Sequence, residues 1–121
     1  MSLVELMRFA IKQGDSWAAT LVATEDDGVT PIDLTGWSVE FSVARERGGR
    51  DGWVRAWVDD ERHARITNAA AGEIKVGLLP EDSRFFGRVE RIAYEVTLED
   101  PGGWRLTVLD GEFLVRLEVS S

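Results

Sequence analysis

The chain has 121 residues, 44% of them hydrophobic, and carries 14 Lys+Arg against 22 Asp+Glu, a formal charge of −8 at pH 7. That length is enough for one domain with a single two-layer core, and the apolar content excludes intrinsic disorder. A sequence pI of about 4.6 speaks against nucleic-acid binding, which needs a basic surface that outweighs the acidic remainder. The absence of cysteine excludes disulfide scaffolds, thiolate zinc sites and cysteine nucleophiles. Apolar runs are broken by charges every few residues, far short of the roughly 20 residues of a membrane helix, so no membrane association is expected. Glu5 and Arg8 lie inside the first apolar stretch, unlike the pattern of a secretory signal, and synthesis in the cytoplasm is the expectation.

In chain order, Met7, Phe9 and Ile11 alternate with Arg8, Ala10 and Lys12, predicting a first strand that ends at Gly14-Asp15. Ser16 to Thr24 places Trp17, Ala19, Leu21 and Ala23 on one phase and stops at Glu25-Asp26-Asp27-Gly28, whose Asp-Gly step favours a tight turn. After the connection Thr30 to Gly36, Trp37, Val39, Phe41 and Val43 alternate with Ser38, Glu40, Ser42 and Ala44, the clearest half-buried strand in the chain. Gly48 to Gly52 reads as a flexible tip, and Trp53-Val54-Arg55-Ala56-Trp57-Val58 as the returning partner of a hairpin. Asp59 to His63 reads as a solvated, charged loop, and Glu73 to Leu78 as another strand. Pro80 to Gly87 begins with proline, continues with Glu81 and Asp82 and closes on glycine, predicting a short helical turn near residues 80–86. Ile92 to Leu98 and Trp104 to Val108 flank the turn Asp100-Pro101-Gly102-Gly103 as a hairpin. Asp110-Gly111 reads as a last turn before a final strand from Glu112 to Val119. About eight short strands at this spacing predict an all-β, antiparallel sandwich forming a single domain over residues 1–121.

Beyond periodicity, the order of landmarks is similar to that of a tailed-phage family. Gln13-Gly14-Asp15-Ser16, Ile32-Asp33-Leu34-Thr35-Gly36-Trp37, Ala71-Gly72-Glu73-Ile74, Leu79-Pro80-Glu81-Asp82-Ser83, Tyr94-Glu95-Val96 and Leu109-Asp110-Gly111-Glu112-Phe113 follow one another across most of the chain. The sequence resembles the small immunoglobulin-like domains of phages and prophages, such as the N-terminal domain of upper-baseplate tail proteins. The resemblance implies an immunoglobulin-like sandwich and a structural role in a virion, as a tail, baseplate or connector component made in the bacterial host cytoplasm. It also implies assembly with itself as a homo-oligomer and with other phage tail proteins, and it carries over no catalytic residue or cofactor. The resemblance is to the sandwich domain alone, not to the fibre or receptor-binding region of a full baseplate protein, so a small tail, neck or connector component is the expectation.

Among local features, the Trp53-Arg55-Trp57 strip is the candidate interface. In a strand these three residues share one face, and placing Arg55 in the core would strand a charge, so Val54, Ala56 and Val58 are expected inward and the Trp-Arg-Trp face outward. Tryptophan and arginine are enriched at interface hot spots; alternatively Arg55 stacks over a ring within the chain. The hairpin tip Arg45 to Gly52 and the last strand Glu112 to Val119 are further expected contact surfaces. Trp17, Trp37 and Trp104 occupy apolar phases and read as core. Asp59, Asp60, Glu61 and His63 lack the ordered alternation of a calcium loop, and Asp26 and Asp27 read as turn residues, so no metal site is expected. His63 is the only imidazole, and the sequence has no phosphate loop, nucleophile elbow or paired-histidine motif, so no enzyme chemistry and no cofactor are expected. A carbohydrate-binding module that stacks a glycan on exposed tryptophans is the alternative.

Overall fold

The computed structural model describes residues 5–45, 53–86 and 91–116. Eight strands are present among them: β1 Glu5–Lys12, β2 Trp17–Val22, β3 Ser38–Ala44, β4 Val54–Val58, β5 Ala64–Asn68, β6 Glu73–Leu78, β7 Arg91–Glu99 and β8 Arg105–Arg116. One helix, α1 (Pro80–Phe85), crosses between β6 and β7. Residues 46–52 of the Arg45 to Gly52 hairpin tip, Gly87 and the end of the last expected strand, 117–119, lie outside the described residues.

The strands form a five-stranded sheet in the order β1-β8-β7-β3-β4 and a three-stranded sheet in the order β2-β6-β5. This is the two-sheet arrangement of an immunoglobulin-like β-sandwich. The pairs are antiparallel except that β1 runs parallel to β8, from Glu5 opposite Leu109 to Lys12 opposite Arg116. A parallel edge pair follows because β1 enters the five-stranded sheet at one margin while the next strand, β2, belongs to the other sheet.

Alternation decides the core. Val39, Phe41 and Val43 of β3, Ile74, Val76 and Leu78 of β6, and Ile92, Tyr94, Val96 and Leu98 of β7 are all buried, and of the intervening residues only Gly77 and Thr97 are buried with them. Trp17 bridges the two sheets: its ring lies 4.8 Å from Phe113 in an edge contact and 5.0 Å from Phe9. Tyr94 packs 4.7 Å from Phe113 beneath it. Aromatic pairs in these tilted and edge arrangements add roughly 0.5–1.5 kcal/mol each beyond the area they bury.

Three expectations are corrected. Residues 64–68, to which alternation assigns no strand, form β5 against β6. Asp110-Gly111 is not a turn: β8 runs unbroken from Arg105 to Arg116. Opposite β7 the register passes from Thr107 facing Thr97 to Leu109 facing Val96, so Val108 is an extra residue. Such a bulge flips the inward phase from Leu106 to Leu109, Gly111 and Phe113, and a phase change reads in sequence like the gap between two strands. The expected total of about eight strands therefore stands with different members. Finally, Trp104 is 63% exposed, not core. It precedes β8 in the turn that Asp100 organises, where Oδ1 accepts the N–H groups of Gly102 and Trp104. Trp17 and Trp37 do pack against the core.

Gly72 pins the connection between the sheets. Its φ is +67°, and a Cβ there would lie 2.7 Å from the Ala23 carbonyl oxygen and 2.9 Å from that of Ile32. The Gly72 carbonyl in turn accepts the Ala23 N–H. Only glycine meets both demands without strain.

Candidate functional site

Strand β4 is one of the two outer strands of the five-stranded sheet, opposite β1, and its faces are reversed from the sequence expectation. Val54 and Val58 are 55% and 56% exposed, with Ala56 exposed between them. Trp53 and Trp57 pack against the core from its margin. The indole of Trp53 lies parallel to Phe86 at 5.6 Å and edge-on to Phe85 at 5.0 Å. Trp57 lies parallel to His63, with ring centres 4.3 Å apart, and 5.8 Å from Phe41. Arg55 is accommodated on this face because it reaches the rim, where its guanidinium sits 3.9 Å over Phe85 and 3.8 Å from Asp82. The charge is met rather than stranded, so burial of two indoles outweighs burial of two valines.

Beneath the strip lies a buried polar cluster. His63 is 8% and Asp82 4% exposed. The imidazole Nε2 is 2.7 Å from Asp82 Oδ2, and Nδ1 is 3.0 Å from Asp60 Oδ1. Both nitrogens face carboxylate oxygens, an arrangement the imidazolium satisfies in full because it donates from both. The bond from His63 holds the Asp60 carboxyl below the usual carboxylate range, with the Arg62 N–H adding to the effect. Asp82 Oδ2 also accepts the Leu79 N–H at 2.7 Å, so one buried carboxylate closes the start of α1, anchors β5 through His63 and meets Arg55 of β4. In the segment Asp59 to His63, Asp59, Glu61 and Arg62 are exposed as expected, Asp60 is half-buried, and His63 alone departs from the solvated loop by turning into the core. Among the described residues no group of three or more His, Asp or Glu side chains is arranged to hold a metal ion.

The outward edge of β4 carries a second feature. Arg45 N–H donates to the Trp53 carbonyl and Asp59 N–H to the Val39 carbonyl, so Trp53, Arg55, Trp57 and Asp59 form the hydrogen-bonded pairs with β3. Alternation of the antiparallel ladder then turns the N–H and C=O groups of Val54, Ala56 and Val58 away from β3, along the sheet margin. The same three residues thus present exposed apolar side chains and outward backbone groups.

A shallow groove of about 290 Å³ opens on the other sheet, lined among others by Ser16, Trp17, Leu78, Arg62, Arg65 and Lys75. Arg65 and Lys75 are direct cross-strand partners. Sequence reading passed over these cations and over Asp82 and Phe85. The strand β5 that carries Arg65 has little alternation, and Asp82 lies 19 positions from His63. Asp26 and Asp27 sit in an exposed turn as expected, Asp27 accepting the N–H groups of Val29 and Thr30.

No family model matches the chain, and no curated protein matches it. A comparison with solved structures finds a structure of murine CRIg, 14% identical over 92% of each chain at a TM-score of 0.35. The sandwich described above rests on strand order and register.

Proposed function

We propose that the chain is a non-enzymatic virion component of a tailed phage or prophage, placed in the tail, baseplate or connector, and that it acts through protein–protein contacts with itself and with other tail proteins. The ordered landmarks from Gln13-Gly14-Asp15-Ser16 to Leu109-Asp110-Gly111-Glu112-Phe113 support the phage assignment. The observation that carries the contact role is the margin of β4. Natural sheets cover or charge their edges, because an open apolar edge strand is a template for another strand. Here the outward groups belong to Val54, Ala56 and Val58, with no lysine or proline among residues 54–58.

The occupant is the same strand of a second copy. The triplet is palindromic, so an antiparallel copy centred on Ala56 sets Val54 opposite Val58 and Ala56 opposite itself. Outward backbone groups then meet outward backbone groups, and each pair exchanges two hydrogen bonds. On the inner face the same register brings Arg55 opposite the Trp57 of the other copy and Trp53 opposite Asp59. No like charges are opposed, and the Trp53-Arg55-Trp57 strip becomes part of the contact. The parallel stacks of Trp53 on Phe86 and of Trp57 on His63 occupy one face of each indole, so a glycan would have to use their other faces or Trp104, which is 63% exposed.

The test is the solution mass of the parent beside Val54→Lys with Val58→Lys. Both side chains are already more than half exposed, so the exchange leaves folding stability within about 0.5 kcal/mol. It places four ammonium groups across the paired edges. Weaker association than the parent's in a folded variant, from loss of the β4 pairing, is the expected result; a variant that assembles like the parent removes β4 from the contact.

A further inference from the structure

An isologous contact through β4 closes at two copies, and a ring or tube needs a second, head-to-tail contact. The three-stranded sheet carries complementary charge at its two ends. Near the end where Trp17 faces Leu78, Arg62, Arg65 and Lys75 line the open groove with Glu61 as the one carboxylate among its lining residues. All three cations are exposed, and among the described residues none has an ion-pair partner, in a chain whose formal charge is −8. Arg65 and Lys75 also stand directly opposite one another across β5 and β6. Like charges in that register cost the isolated fold stability, which an anion seated between them offsets.

Past the other end, where Val22 faces Glu73, the chain continues into the exposed acidic turn Glu25-Asp26-Asp27. This turn is a shaped projection. Glu25 N–H donates to the Thr30 carbonyl, Gly28 N–H to the Glu25 carbonyl, and Thr24 bridges to Pro31. The Thr30 hydroxyl and the Val29 and Thr30 N–H groups bind Asp27 and hold its carboxyl down to about 2.

We infer that the Arg62/Arg65/Lys75 groove receives the Glu25-Asp26-Asp27 turn of a second copy, forming a heterologous, salt-sensitive contact that repeats along the assembly. The inference rests on the assembly reading above, but uses residues and an interface distinct from β4. Repetition of this contact gives a ring where the rotation closes and a filament where it does not.

Two variants test it. Arg65→Glu with Lys75→Glu reverses the groove; Glu25→Lys with Asp26→Lys reverses the turn and leaves Asp27, which organises the loop, in place. Sedimentation is measured on the Val54→Lys, Val58→Lys background, which removes β4 pairing, at salt from roughly 0.05 M to 0.5 M, where the Debye length falls from above 10 Å to a few ångströms. The expected result is association weakened at least about tenfold by salt. Each reversed variant alone loses roughly a hundredfold or more, a change of about 2.8 kcal/mol, and an equimolar mixture of the two recovers association, because acidic groove then meets basic turn. Circular dichroism of each variant, together with the mixing arm, separates a broken contact from a broken fold. Association that ignores salt, reversed variants that assemble like the parent, or a mixture that stays monomeric overturns the inference. A monomer whose groove instead captures heparin, an anionic polysaccharide, overturns it as well. If the parent assembles through β4 while the charge reversals change nothing, the assembly reading stands and the groove contact falls.

Discussion

Replacing Asp82 with alanine tests the buried cluster that seats β4 on the sandwich. The carboxylate is 4% exposed and serves three elements. Its Oδ2 accepts the Leu79 N–H at 2.7 Å and lies 2.7 Å from His63 Nε2, while Oδ1 lies 3.8 Å from Arg55. Truncation leaves a buried ring donor and a part-buried backbone donor without this acceptor, at about 1–3 kcal/mol each with the backbone group at the lower end. Arg55 is about half exposed and recovers solvation, so its share is under about 1 kcal/mol. The expected loss is therefore about 3–5 kcal/mol, the range for breaking one side of a buried polar pair. Asp82→Asn keeps one acceptor oxygen and loses less. Urea denaturation followed by tryptophan fluorescence is the assay, since Trp57 lies against His63 and Trp53 against Phe86. A loss below about 1 kcal/mol for the alanine variant at an unchanged denaturant slope refutes the reasoning, because the cluster then does not hold α1, β4 and β5 together.

Gly72→Ala costs at least about 2 kcal/mol in the same assay, from a left-handed backbone compounded by the close approach to the Ala23 and Ile32 carbonyl oxygens. Gly28→Ala, at φ +71° with nothing within 4 Å, costs about 1 kcal/mol from the backbone alone; equal effects at the two positions contradict this account. Burial, aided by the charge of Asp110, pushes the Tyr94 hydroxyl from 10.0 up to about 12. The protonated form is favoured in the folded state, so this stabilisation is complete below pH 10 and is lost as the pH rises through 12. Tyr94→Phe removes that part of the alkaline loss from a series of unfolding midpoints; an unchanged pH slope in this variant counts against the assignment.

Local alternation carried the parts of the fold in which one strand buries one phase without interruption. Val39-Phe41-Val43, Ile74-Val76-Leu78 and Ile92-Tyr94-Val96-Leu98 are legible because each phase is apolar throughout and each is buried. The proline at the first position, the acidic Glu81 and Asp82 and the closing glycine mark α1 by the separate grammar of helix ends. β5 was not legible: Ala64 and Ile66 are its only apolar members, and the strand exists because β6 offers it a ladder. β8 was split in two because the extra residue Val108 shifts the phase, which no local rule distinguishes from a turn. The faces of β4 were misjudged on a sound premise, that an arginine does not enter a core. Its partners, Phe85 and Asp82, come from α1, and only the tertiary fold brings them beneath the strand. The same holds for the groove, whose cations come from the β4–β5 turn, β5 and β6.

Amide hydrogen exchange across β4 tests the assembly account most directly. In the separate chain the N–H groups of Val54, Ala56 and Val58 point along the open margin, while those of Arg55 and Trp57 are bonded to β3. At protein concentrations where the solution mass exceeds 13.5 kDa, the account predicts that exchange at Val54, Ala56 and Val58 slows strongly relative to dilute protein. Arg55 and Trp57, already paired, change little. Assembled protein in which those three amides exchange as fast as in the dilute chain contradicts strand pairing through β4, and a mass of 13.5 kDa at every concentration contradicts self-assembly altogether.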